Sequence, residues 1–359
     1  MSLTAKQMES TVSVISGATS ATVTDPSDQP SIPPRPGNPK NSCKKRAGRV
    51  SLTPMKDNVT IRPENSFRVG MDLGGTKIEG IVLAADGREI YRKRIATEQH
   101  HGYQHILGRI QTLHAELAAS LERKPHTFGI GTPGAISRRT GLLKNSNTVC
   151  LNGQPLKADL EKLLGRQIEI QNDANCFAMA EALLGAGRGK KFVFGVIMGT
   201  GCGGGLVYEG EAITGPQAIA GEWGHMSIDP KGPACYCGQR GCVETLISGG
   251  GLEARYAEKF GGKKSLKQIV AEFRAGDANA VTFIQTFFRH FGRALANVID
   301  VLDPDVVVLG GGVSNIDELY TEGAAQVAKF VFSDSLETPI VKNQLGDSAG
   351  VIGAALVGI

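Results

Sequence analysis

Apolar positions show no sustained period over residues 1–65 and become regular from Phe67 onward. Phe67-Arg68-Val69-Gly70-Met71-Asp72 predicts a strand, Gly74-Gly75 a tight turn, and Lys77 to Leu83 a returning strand. A third strand over Glu89 to Ala96 follows the Asp86-Gly87 turn. Ile106, Ile110, Leu113, Leu117 and Leu121 then recur at helical spacing, and a further strand runs into Gly129-Ile130-Gly131-Thr132-Pro133-Gly134. The apolar strand Gln167 to Ile170 leads through Asn172-Asp173-Ala174-Asn175 into a helical stretch carrying Phe177, Ala180 and Leu183.

The same order of events recurs later in the chain. Phe192 to Met198 reads as a strand, Gly199 to Gly205 as a glycine-rich turn, Leu206 to Glu209 as its return, and Glu211 to Thr214 as a third strand. A long helix through Phe283, Phe287, Phe291 and Leu295 precedes the buried strand Val306-Val307-Val308-Leu309, which runs into Gly310-Gly311-Gly312. One plan used twice predicts two α/β lobes whose glycine turns can face one cleft. The expected boundaries are a small N-terminal lobe over 66–186, completed by 347–359, and a larger C-terminal lobe over 187–346. Residues 1–65, rich in Ser, Thr and Pro, read as a disordered tail, and the basic run from Lys40 through Lys44, Lys45, Arg46 and Arg49 as a solvated segment.

Composition narrows the possible functions. A net charge of +4, dispersed over 359 residues, argues against a nucleic-acid or membrane partner. Without a 20-residue apolar run or a secretory start, the expected location is cytoplasmic. The 47 glycines exceed the usual share, so many close backbone approaches are expected. Of the seven cysteines, Cys235, Cys237 and Cys242 are bunched while the rest are scattered, which suits a metal in a reducing compartment better than disulfides.

The glycine turns Asp72-Leu73-Gly74-Gly75-Thr76-Lys77 and Gly199-Thr200-Gly201 each join two strands, where successive N–H groups make an anion-binding concavity. Asp72 would deliver a carboxylate to the first turn, as magnesium on nucleotide phosphates requires. Gly199, Gly201 and Gly204 have the G-x-G-x-x-G spacing, but a strand follows rather than a helix, so a dinucleotide fingerprint fails on context. His225 with Cys235, Cys237 and Cys242 offers one nitrogen and three sulfurs, a closed tetrahedral set for structural zinc; buried free thiols are the alternative. Glu222 and Glu244 flank that set and could accept sugar hydroxyls, or be merely solvated. Asp173, at a strand-to-helix junction, is either a helix cap or a general base.

Together these segments resemble the sugar kinases of the ROK family (repressors, open reading frames and kinases), with the likeness running from about Phe67 to Ile359. It is carried by Asp72-Leu73-Gly74-Gly75-Thr76-Lys77, Asn172-Asp173-Ala174-Asn175, Gly199-Thr200-Gly201, Gly221-Glu222-Trp223-Gly224-His225 with its cysteines, and Leu309-Gly310-Gly311-Gly312. The resemblance implies a two-lobed actin-like ATPase (ribonuclease H-like) fold with duplicated βββαβα units and an interlobe cleft. It further implies ATP with Mg2+, a structural Zn2+ on His225, Cys235, Cys237 and Cys242, and a homodimer. In this pattern Asp173 is the base that takes the proton of a hexose 6-hydroxyl. Gly134, Asn147 (with Asn145 competing), Asn172, Glu222, His225 and Glu244 contact the sugar. Asp72, Gly74, Gly75, Thr76, Lys77, Gly199, Thr200 and Gly201 serve the nucleotide phosphates, and Gly311 and Gly312 border the adenosine pocket. The likeness of Leu151-Asn152-Gly153-Gln154-Pro155 and Cys235-Tyr236-Cys237-Gly238 to ROK fructokinases makes fructose the expected acceptor, with glucose, mannose and N-acetylglucosamine as alternatives.

Overall fold

A computed structural model describes residues 67–357. The tail and its basic run, and the last two residues, lie outside the described residues. The first half contains β1 (Phe67–Leu73), β2 (Lys77–Leu83), β3 (Glu89–Ala96), α1 (Tyr103–Ser120), β4 (His126–Thr132), the short hairpin β5 (Ala135–Ile136) and β6 (Leu143–Lys144), α2 (Leu156–Leu164), β7 (Glu169–Asn172) and α3 (Asp173–Leu184). The second contains β8 (Phe192–Met198), β9 (Cys202–Tyr208), β10 (Glu211–Ala212), α4 (Val243–Ile247), α5 (Gly249–Phe260), α6 (Leu266–Arg274), α7 (Ala278–Leu302), β11 (Val306–Gly310), α8 (Glu322–Phe330) and β12 (Ile340–Lys342). Helix α9 (Ala349–Val357) ends the described chain.

The two five-stranded sheets have matching orders, β3-β2-β1-β4-β7 and β10-β9-β8-β11-β12. In each, the first three strands are antiparallel, and the later two join in parallel register through helical crossovers. The alternation of apolar residues in β1 and α1 explains the first core: Val69, Met71, Ile106, Ile110, Leu113 and Leu117 are all buried in one cluster. Phe287, Phe291 and Leu295 on one face of α7 pack with Val307 and Leu309 in the second. Each such side chain contributes about 1.5–3 kcal/mol by leaving water.

The halves exchange their last helices. The sequence boundary at 186 groups α3 with the first lobe, yet α3 packs on β8 and β9 of the second sheet, while α9 packs on β1, β2 and β4 of the first. The two helices lie against each other, and Gly353 is what admits the contact, because a β-carbon there would overlap the Cys176 carbonyl. Gly70 does the same for α9 on β1.

One turn is shorter than its glycines suggest. Gly203, Gly204 and Gly205 belong to β9, and the turn is confined to Gly199–Gly201. A side chain at Gly205 would strike the Ala174 carbonyl at 2.6 Å, and one at Gly204 would strike the Trp223 ring at 2.8 Å, so these glycines seat α3 and Trp223 on the strand. Likewise the third strand ends at Ala212 rather than Thr214. Among the described residues no helix is long and apolar enough to cross a membrane.

Candidate active site

The strand ends of both sheets carry the glycine turns. In the first, the Gly74 N–H donates to the Lys77 carbonyl at 3.0 Å, and buried Thr97 closes the loop by donating its hydroxyl to the Gly74 carbonyl (2.7 Å) and its N–H to the Thr76 carbonyl (2.9 Å). Thr76 and Lys77 are exposed at its rim, with Gly75 between Thr76 and Gly74. Thr148 Oγ1, buried and without a hydrogen-bond partner among the described residues, lies beside Gly75. In the second turn Gly199 N–H donates to the Gly201 carbonyl at 2.9 Å, leaving Thr200 exposed at the tip. Past β11, Gly311 adopts φ +79°, and Gly312 opens a short 3-10 helix. A side chain at Gly311 would crowd the Met198 backbone, so this loop lies against the end of β8.

Asp173 is the first residue of α3, and the cap is its neighbour. Asn172 Oδ1 accepts from Ala174 N (3.0 Å) and Asn175 N (3.3 Å), while Asn172 Nδ2 donates to the Gly134 carbonyl at 3.1 Å. Capping by Asn172 frees Asp173 from that structural duty. Gly134 itself needs φ +83° and has no room for a side chain against Lys144 and Ser146. Burial, then the charge of Asp72, then that of Glu222, push the Asp173 carboxyl up to about 7, against a hydrogen bond from the Ala174 N–H that pulls it down. Asp72 is pushed up to about 6 by burial and by Glu79, with Lys77 and Arg94 opposing. Glu222 is raised by burial; His225 and Lys144 oppose the rise and Glu244 adds to it. The charges of Asp72 and Glu222 both reach Asp173, which ties residues of three separate elements to one region.

Glu222 is positioned by Trp223, whose buried ring meets Phe194 edge-on and whose Nε1 donates to the Gly203 carbonyl at 3.1 Å. Two residues on, His225 Nδ1 lies 3.6 Å from Cys235 Sγ, and Cys237 Sγ lies 3.6 Å from Cys242 Sγ. The four ligand atoms all fall within 4.8 Å of one another. A tetrahedral ion with metal–sulfur bonds of about 2.3 Å would hold sulfurs about 3.8 Å apart, so the set fits zinc. The other histidine nitrogen, Nε2, is 3.0 Å from the Tyr236 hydroxyl. Glu244, in the first turn of α4, accepts the Cys202 N–H on Oε2 at 2.9 Å.

A cavity of about 1260 Å3 joins these parts. Asn145, Asn147, Glu222, His225 and Glu244 line it together with Thr200 and Gly201 of the second turn and Ser248, Gly251 and Arg255 of the α5 region. Asn145 and Asn147 both stand on the wall. Asp72, Asp173, Asn172, Gly134, the first glycine turn and the Gly310–Gly312 loop do not line it; Asp173 is linked to it by the charge of Glu222, which raises Asp173. The hairpin β5–β6 reaches across the cleft, Arg138 donating to Thr214 Oγ1 and Lys144 Nζ to the Gln217 carbonyl, each at 2.8 Å. Sequence reasoning missed four participants: Thr97, Asn152 (which holds both backbone groups of Ser146), Tyr236 and Arg255. Only Tyr236 had a signal, its place between two bunched cysteines.

The sequence model of the ROK family matches residues 68–358. The chain belongs to the ROK family. Curated relatives include the N-acetyl-D-glucosamine kinases of Vibrio cholerae serotype O1, 38% identical over 300 residues (81% of this chain, 99% of the relative), and of Photobacterium profundum, 38% identical over 304 residues (81% and 98%). Among solved structures, the ROK hexokinase from Thermus thermophilus is 34% identical with a TM-score of 0.74, covering 81% of this chain and 97% of that one. A ROK family glucokinase from Streptomyces griseus, solved with glucose and AMPPNP, is 28% identical with a TM-score of 0.66, covering 82% and 99%. Such likeness over nearly the whole of its relatives makes this ROK member a hexose-phosphorylating sugar kinase with the actin-like ATPase fold.

If Asp72 and Asp173 share one field, Asp72→Asn lowers the pH at which Asp173 titrates below about 7. Carboxyl 13C NMR titration of the two proteins reads this directly, and an unchanged midpoint refutes the shared field.

Proposed function

We propose that this chain transfers the γ-phosphoryl group of ATP to the 6-hydroxyl of N-acetylglucosamine. The observation that carries the acceptor is its 38% identity to kinases named for that sugar, across 99% of the Vibrio cholerae relative. The fructose expectation has no such support, and the acceptor assignment moves to a sugar that the sequence left as an alternative.

Asp173 is the general base: it takes the proton as the 6-oxygen attacks the γ-phosphorus in line and the β–γ bridging bond breaks, leaving ADP. A carboxylate poised near 7 matches that task, being a stronger base than an ordinary carboxylate while still about half ionised in neutral solution. Asn172, Gly134, Asn147, Glu222, His225 and Glu244 hold the sugar. The two glycine turns, with Thr76, Lys77 and Thr200, hold the phosphates, and the unpartnered Thr148 hydroxyl beside Gly75 is a donor a phosphate oxygen would satisfy. Gly311 and Gly312 border the adenosine. Mg2+ on the nucleotide, for which Asp72 is the protein carboxylate, neutralises phosphate charge when bound. The zinc set His225, Cys235, Cys237 and Cys242 leaves no open position, so its ion is structural and orients Glu222, His225 and Glu244.

Three outcomes test this reading. Asp173→Asn lowers turnover by roughly 10²- to 10⁴-fold with sugar affinity retained, and in the native enzyme kcat/KM falls as pH drops below about 7, because protonation removes the base. Turnover near the native value in the folded variant removes Asp173 from the mechanism. In a coupled ADP assay over fructose, glucose, mannose and N-acetylglucosamine, the last leads fructose in kcat/KM by about tenfold or more, since a site built around each hydroxyl rejects sugars that leave its polar groups unpaired; a lead for fructose makes fructose the acceptor instead. Elemental analysis finds one zinc per chain, and Cys237→Ser loses it and melts at lower temperature. Zinc-free protein with native stability excludes the metal.

A further inference from the structure

The proposed function gives Glu244 to the sugar and Gly199–Gly201 to the nucleotide, and the coupling inferred between them rests on that reading. In the structure these are not separate. Glu244 Oε2 accepts the N–H of Cys202, the residue that closes the second turn, at 2.9 Å. Gly201 lies so near that a β-carbon on it would stand 2.6 Å from the same oxygen. The chain following Glu244 braces the rest of the turn: Gly249 N–H donates to the Gly199 carbonyl at 2.7 Å, and a β-carbon at Gly250 would stand 2.6 Å from the Thr200 carbonyl. On its other side Glu244 adds its charge to Glu222, and both line the cavity that Thr200 and Gly201 also line.

We propose that Glu244 is a positioning residue coupling the two substrate sites. One carboxylate oxygen fixes the second glycine turn in the shape that receives phosphate, and the turn in return fixes the carboxylate on the wall of the cavity. Each substrate, by ordering its own side of this contact, then raises the affinity for the other by the same factor, as linkage requires. Glu244 sits two positions after Cys242, so the loop that carries the cysteines feeds straight into the contact.

Calorimetry with MgADP and with N-acetylglucosamine, each alone and then together, tests this on the intact chain. Native protein binds both, each tightening the other by about fivefold or more. Glu244→Ala weakens MgADP binding in sugar-free protein by about tenfold, the usual scale for losing a hydrogen bond to a charged group, and abolishes the mutual tightening. Glu244→Gln, whose amide oxygen still accepts the Cys202 N–H, restores most of the MgADP affinity, a rescue that general loss of stability would not give. Gly201→Ala, read in nucleotide-free protein, weakens sugar binding by displacing the carboxylate, and it decides the matter if Glu244→Ala does not fold. If native protein binds both ligands and the Glu244→Ala and Gly201→Ala effects stay on their own sides of the contact, the coupling is overturned while the proposed function stands. If native protein binds neither ligand, both fall together.

Discussion

The rest of the molecule depends on the packing of α3 against α9. Each helix covers the sheet of the opposite half, and each begins at a strand end of its own half, so neither half buries its sheet without the other. The contact is close because Gly353 lets the α9 backbone onto the Cys176 carbonyl, and Gly205 lets the α3 backbone onto β9. Close backbone approach leaves little freedom for sliding, since packed interiors do not yield to an added methyl group without strain. Asp173, at the start of α3, and Asp72, at the end of β1 under α9, are thereby placed relative to each other by the same contact.

That placement sets the electrostatics. Three carboxylates, from β1, α3 and the segment before Trp223, are each raised first by burial; Asp72 and Glu222 raise Asp173 further, Glu79 raises Asp72, and Glu244 raises Glu222. Glu79, whose charge acts on Asp72, has a nearly inaccessible side chain. It is held by Arg92 at 3.1 Å and Arg94 at 2.8 Å, with Lys77 at 3.9 Å, so its charge is compensated locally. The contrast separates a carboxylate fixed by cations from carboxylates left to respond to what enters the cleft.

Much of this was legible in the sequence where side-chain period reports burial. The bounds of β2, β3 and β8 match those expected, and the buried face of α1 is the one its leucines and isoleucines mark. Glycine misled where its reason lay in tertiary contact: Gly203–Gly205 look like a turn but form a strand, because α3 and Trp223 occupy the space side chains would take. The capping of α3 by Asn172 rather than Asp173 was open in sequence, since either residue type can cap, and only the Asn172 Oδ1 contacts decide it. The seat of α3 on the second sheet leaves no local trace, since the helix is buried almost all round and its apolar residues mark no single face. Arg255 reaches the cavity from α5 through a tertiary placement that no spacing rule encodes.

The hairpin β5–β6 holds the far lobe by two surface hydrogen bonds, Arg138 to Thr214 and Lys144 to Gln217. Each is exposed, so water replaces it readily, and the net loss on breaking the pair is about 1–3 kcal/mol. A fastening that weak adds little to stability, and the loop bearing Asn145 and Asn147 follows Lys144 directly. The cleft is thus spanned by contacts that water can replace, and Lys144, which makes one of them, is the covalent neighbour of the loop that lines the cavity.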